Sequence, residues 1–155
     1  MVERYYEDKK IDTTKKSIFL AGPTPRSNDT ESWRPEAIRI LKELGFNGEV
    51  FIPEFKTEVM QDLEYPQIIE WELEHLDKAS IICFWVPRKL DTMPAFTTNV
   101  EFGYHLKTGK VVYGRPDTAP KNRYLDYLYT REYQKQPFSN LKFMLKEIVD
   151  LLNWF

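Results

Sequence analysis

Four short apolar runs, each closed by proline or glycine, constrain this chain more than any other feature. Ser17-Ile-Phe-Leu-Ala21 ends at Gly22-Pro23-Thr24-Pro25, and Glu49-Val-Phe-Ile52 ends at Pro53. Ser80-Ile-Ile-Cys-Phe-Trp-Val86 ends at Pro87, and Lys110-Val-Val-Tyr113 ends at Gly114. Runs this short, rich in β-branched and aromatic residues, read as strands, and a proline at the end stops both ladder and helix. The third run is apolar at nearly every position, as a central parallel strand covered on both faces must be.

Helical periodicity fills the spaces between them. Ser32 is placed to cap a helix with Pro35 in its first turn, an apolar face of Ala37, Ile38, Ile40, Leu41 and Leu44, and a stop at Gly45. After a loop from Glu54 to about Pro66, residues Ile68, Ile69, Glu72, Leu73 and Leu76 fit a second helix ending near Lys78. A loop from Arg88 to Thr97 leads to a third, which Thr97 or Thr98 can cap and Gly109 stops. Arg123 to Tyr133 reads as helical, and Asn140 caps a last helix carrying Leu141, Met144, Leu145, Ile148, Val149, Leu151 and Leu152. Strands alternating with helices predict an α/β, doubly wound domain with a mainly parallel sheet and helices on both faces. The domain spans 17–155, and residues 1–16 read as a polar lead-in, frayed or edge-bound.

Composition narrows the function. The 155 residues suit one domain, and 22 basic against 24 acidic side chains exclude a generic nucleic-acid coat, so no nucleic-acid polymer is expected as partner. No apolar run approaches the roughly 20 residues of a membrane helix, and the charged N-terminus has no signal-peptide core, which makes the cytoplasm the default location. One cysteine, Cys83, excludes an intrachain disulfide and reads as an inert core thiol; two histidines, His75 and His105, are isolated and read as surface or half-buried.

In an open parallel sheet the ligand crevice lies outside the carboxyl ends of the strands, which selects the loops beginning at Gly22, Pro53, Pro87 and Gly114. The loop at Gly22, Pro23 and Thr24 either holds a phosphate or sugar or is a rigid turn; it has neither a Walker nor a GxGxxG pattern. Ala21-Gly22 stands where a receiver domain needs an acidic metal-binding pair, and no Ser/Thr-rich flavin-phosphate loop follows the strand. Glu101 falls in the expected first turn of the third helix. There it either offsets the helix dipole or serves as a carboxylate nucleophile kept ionised near neutral pH. Gly103 suggests a close approach of helix to sheet or ligand. Arg26, Arg34, Arg88 and Arg115 lie near crevice loops and read singly as solvated surface, together as a set able to bind a 5′-phosphate. Trp33, Trp71 and Trp85 read as core or pocket wall.

Ile18-Phe-Leu-Ala-Gly-Pro23, Trp71-Glu72, Phe84-Trp-Val-Pro87 and Asn99-Val-Glu-Phe-Gly-Tyr104 followed by Gly109-Lys110 together resemble the nucleoside 2-deoxyribosyltransferase family, in a divergent branch, over about Ser17 to Asn122. The resemblance implies a flavodoxin-like sheet of about five strands in the order 2-1-3-4-5. It also implies that Glu101 attacks C1′ of a 2′-deoxynucleoside, forming a covalent deoxyribosyl-enzyme that a second base resolves. Its partners are then a small nucleoside or nucleotide and a free nucleobase, with no metal and no organic cofactor. Glu54 falls where the family contacts the base. Trp71 or Glu72 falls near an acidic base-binding position, Asn99 beside the sugar, and Asn122 where an asparagine reaches a neighbouring subunit's site. The chain end Asn153-Trp154-Phe155 can also reach a neighbour in the homo-oligomer that the family implies. At Phe19 the chain departs from the pattern, because many members carry there a tyrosine bonded to the nucleophile. Tyr104, Thr97 or Thr98 would have to supply that hydroxyl, or else the efficiency or substrate differs. An N-glycoside hydrolase and a non-catalytic nucleotide-binding protein are the alternatives.

Overall fold

The computed structural model describes residues 1–57 and 63–154, so part of the Glu54–Pro66 loop and the terminal Phe155 lie outside the described residues. The lead-in is edge-bound: Val2–Arg4 forms strand β1. The four apolar runs follow as β2 (Ser17–Ala21), β3 (Glu49–Phe51), β4 (Ile81–Trp85) and β5 (Val111–Gly114). Helices α1 (Arg34–Glu43), α2 (Tyr65–Lys78), α3 (Phe96–His105), α4 (Arg123–Tyr133) and α5 (Leu141–Asn153) alternate with and follow them. None of the described helices is long and apolar enough to cross a membrane.

All strand pairings are parallel, in the order β1-β3-β2-β4-β5. The four strands read from sequence thus stand in the expected 2-1-3-4 order. The fifth does not follow them; it is β1, on the opposite edge. Beyond β5 the chain returns only as a single bridge between Gly114 and Phe138. Pro137, which has no N–H to give, stands immediately before Phe138, and the chain soon turns into α5.

The two-residue period of the strands sorts the core into two layers. Ile18, Leu20, Val50, Ile52, Cys83, Trp85 and Val112 face α1 and α5. Phe19, Ala21, Phe51, Ile82, Phe84, Val111 and Tyr113 face α2, α3 and α4. Phe19 is sealed in this second layer, its ring centroid 6.1 Å from that of Trp71.

Local details differ from expectation for physical reasons. Trp33, not Ser32, occupies the cap position of α1, although the Ser32 hydroxyl accepts from the Arg34 N–H at 3.2 Å. Neither Thr97 nor Thr98 caps α3. The chain enters that helix through Ala95 in the left-handed region, at φ 62°. His75 and His105 are buried. Trp71 and His75, four residues apart, share the face of α2 turned toward the sheet. Their rings stack at 3.8 Å, and the His75 Nδ1–H donates to the Trp71 carbonyl at 2.7 Å. Asn140 caps α5 as read, accepting from the Phe143 N–H at 3.0 Å.

Candidate active site

A cleft of about 490 Å³ opens at the carboxyl ends of β2, β3 and β4, between α2 and α3. Its floor includes Gly22, Pro23 and Thr24, the turn that ends β2. Gly22, at φ 150°, must be glycine. A Cβ there would lie 2.1 Å from the Trp85 carbonyl oxygen, so a side chain would push β2 and β4 apart at the switch point. The walls are apolar: Ile68, Ile69 and Leu73 from α2 face Phe96 and Val100 from α3.

Two carboxylates enter this apolar cleft, Glu72 from α2 and Glu101 from α3. The 100° step of a helix resolves the open register at Trp71-Glu72. Trp71 turns away, its indole N–H donating to the Asp8 carbonyl at 2.8 Å, and Glu72 faces the cleft. Glu101 is the sixth residue of α3 rather than a first-turn residue. The helix dipole fades within the first turn, so it neither explains the carboxylate nor holds it ionised. Burial and the neighbouring Glu72 instead push Glu101 up to about 8, against the pull of the Arg34 guanidinium. Glu101 therefore holds a proton at neutral pH when Glu72 is ionised, contrary to the expectation of a charged nucleophile. Burial also raises Glu72, while a hydrogen bond from Tyr6 and the charge of Arg34 oppose it. Each carboxyl is thus pushed toward its neutral form, and the charge of Glu72 adds to the push on Glu101.

Arg34, read from sequence as solvated surface, is only 1% exposed. It donates to the Leu20 carbonyl at 2.9 Å, the Gly22 carbonyl at 2.7 Å, the Thr24 hydroxyl at 2.9 Å and the Glu54 carboxylate at 2.9 Å. It thus clamps the β2 turn and lends positive charge to the cleft. Glu54 completes the clamp, accepting also from the Ser32 hydroxyl at 2.6 Å. It lines a polar hollow beside the cleft rather than the cleft itself.

Asn99 and Asn122 meet elsewhere. Arg88, buried, donates to the Asn99 Oδ1 at 2.6 Å, to the Asn122 Oδ1 at 3.0 Å, and to the Pro94 carbonyl. Asn122 is 3% exposed and bonded within its own chain, so it is not presented outward to a neighbour. Arg115 pairs with Asp126 at 2.8 Å. Of the four arginines only Arg26 stands open on the cleft, its guanidinium carbon 5.6 Å from the Phe96 ring centroid, so the set does not assemble as a phosphate cluster. Gly103 has open space where a side chain would stand, so no close approach requires it.

Gly22, Pro23, Thr24, Glu72 and Glu101 therefore meet in one cleft, and Trp71, Glu54, Asn99 and Asn122 stand outside it. Sequence reading missed Tyr6, which lines the cleft and donates its hydroxyl to the Glu72 Oε1 at 2.5 Å. No local motif marks it, because its partner lies 66 positions away. Tyr104 points outward and is exposed, whereas Thr97 and Thr98 line the cleft.

Residues 15–118 match the family model described as nucleoside 2-deoxyribosyltransferase like. A comparison with curated proteins finds no match. The matched segment runs from β2 through β5 and holds both cleft glutamates; β1 and Tyr6 precede it.

Proposed function

Because the chain belongs to the nucleoside 2-deoxyribosyltransferase-like family, we propose that it moves a 2-deoxyribosyl group between nucleobases through a covalent ester on Glu101. The observation that carries this reading is the pair of glutamates, Glu72 from α2 and Glu101 from α3, in one apolar strand-end cleft; in the reading they share one proton.

In the reacting form the shared proton sits on Glu72 and Glu101 is the carboxylate. A Glu101 oxygen attacks C1′ as the C1′–N bond breaks, and the bond's electron pair leaves with the base. Glu72 protonates the departing base. The second base then attacks C1′ with its own nitrogen, Glu101 departs as carboxylate, and the incoming base's proton returns to Glu72. Two displacements retain the anomeric configuration. The apolar walls at Ile69, Leu73 and Phe96 suit a flat base, and the Gly22-Pro23-Thr24 turn suits the sugar. The same reading makes this a cytoplasmic, homo-oligomeric enzyme of nucleotide salvage acting on small substrates.

The test is intact mass after incubation with 2′-deoxynucleosides and their 5′-monophosphates, with released base followed by chromatography. Wild type and Glu101→Ala are compared, with and without a second base. Expected are a deoxyribosyl adduct and base exchange in wild type alone. Free sugar in place of exchange makes the enzyme a hydrolase. Ligand binding without turnover, surviving Glu101→Ala, makes the protein a non-catalytic binder and overturns the proposal.

A further inference from the structure

We infer that Tyr6, brought in by the N-terminal segment, is a positioning residue that fixes which oxygen of Glu72 accepts a hydrogen bond and which carries the proton used in the cleft. The inference rests on the reading of the cleft as a deoxyribosyl site and deepens it.

The geometry is that of a built contact. The Tyr6 main-chain N–H donates to the Glu54 carbonyl at 3.1 Å, directly after β1 has paired with β3. The ring is 8% exposed and is held edge-on by Phe55 and Trp71, each at a centroid distance of 5.1 Å. Packing alone would need only the ring. The hydroxyl projects from it to the Glu72 Oε1 at 2.5 Å. At Phe19, on the strand itself, no hydroxyl is present, and that ring is closed in the core. The segment before the family's matched region thus supplies the cleft with a phenol from a different direction.

A phenol has one proton to donate. Burial and the facing carboxylate push the Tyr6 hydroxyl far above the usual tyrosine range, so it remains a donor at any working pH. With Oε1 engaged, Oε2 is left to carry the proton that passes to the leaving base. The electron pair of the broken C1′–N bond goes to the base, the proton follows from Oε2, and the Tyr6 proton stays on its own oxygen throughout. Arg34 from α1 and Glu101 from α3 are the other charged or titratable groups acting on this network. Both bias the charge of Glu72, while Tyr6 is the group that distinguishes its two oxygens.

Tyr6→Phe keeps the ring contacts and removes the hydroxyl. Three quantities are read on the full chain: melting temperature, kcat and KM with the deoxynucleosides of the preceding test, and the carboxyl titration by 13C NMR of carboxyl-labelled glutamate. The Glu72 signal is assigned by its loss in Glu72→Gln. Expected are a melting temperature close to wild type and a kcat lower by about tenfold or more at similar KM. The Glu72 titration should move upward by about one pH unit. In a Glu72→Gln background Tyr6→Phe should lower kcat no further. An unmoved Glu72 titration overturns the inference, whether kcat stays the same or falls together with stability, because the ring would then serve packing alone. If wild type turns over no substrate in the panel, the deoxyribosyl reading fails by itself, and the Tyr6 inference stands or falls on the titration.

Discussion

Glu101 carries two conflicting demands on one side chain. Its environment favours the neutral acid, since apolar walls and Glu72 raise it to about 8, yet the proposed attack needs the carboxylate. In the proposed mechanism one proton shared with Glu72 reconciles them, because such a pair keeps a single charge whichever oxygen holds the proton. The rate should therefore fall as pH rises past about 8, where the pair loses the proton that the leaving base requires. A pH profile of kcat/KM that stays flat through pH 9 would exclude the shared-proton form. Stability has a matching sign. The folded value lies above the unfolded one, so the folded state gains stability from protonated Glu101 below the unfolded carboxylate range and loses it as pH rises toward 8. Glu101→Gln cannot ionise. It should melt higher than wild type at pH 8 and close to wild type at pH 4.5, by thermal scans in matched buffers.

At the scale of elements, Arg34 shows why the site is held where it is. It is the first residue of α1, yet its guanidinium reaches past the helix to three acceptors at the end of β2 and its turn, and to Glu54 after β3. A lysine keeps the charge and loses the fork. Arg34→Lys should cost about 2 kcal/mol in urea denaturation, with a larger relative loss of activity because the Gly22–Thr24 turn is released. The periodic elements were readable because period and punctuation are local: α4 spans Arg123–Tyr133 as read, and Asn140 caps α5. The start of α3 was not readable. A threonine pair looks like a cap, but Arg88 binds the Pro94 carbonyl and Asn99, and the chain takes its turn at Ala95 instead. The two cleft glutamates show the same division. Glu101 stands in a motif, whereas choosing Glu72 over Trp71 needed the helix rotation that tertiary packing sets. Arginines were misread for a related reason, since the acceptors of Arg34 and Arg88 sit in loops and strand ends with no periodic pattern, and only the folded turns bring them onto one guanidinium.

For the molecule as a whole, the N-terminal segment closes the sheet and joins its edge to the cleft. Glu49, at the start of β3, is 0% exposed and sits where an uncovered edge would leave a carboxylate facing the core margin. Arg4 of β1 donates to its Oε1 through Nε at 2.7 Å and Nη2 at 2.5 Å, and the Asp12 N–H donates to its Oε2 at 2.8 Å. Two residues further along the chain stands Tyr6. The edge pair and the proposed proton device are therefore parts of one short segment. A buried pair adds little net stability, but removing one member strands the other. Arg4→Met leaves Glu49 buried with one main-chain donor, and should cost about 3 kcal/mol or more. Arg4→Met combined with Glu49→Met should recover much of that loss, because both charges leave together. The same single variant should lower activity beyond its effect on the folded fraction, as loosening β1 also displaces Tyr6 from Glu72. Urea denaturation of the two single variants and the double variant, with kcat measured where each is fully folded, reads both effects. A double variant as unstable as Arg4→Met would show that the loss comes from the other contacts of Arg4, its pair with Asp8 included, and not from a stranded Glu49. Full activity in folded Arg4→Met would show that Tyr6 keeps its place without β1.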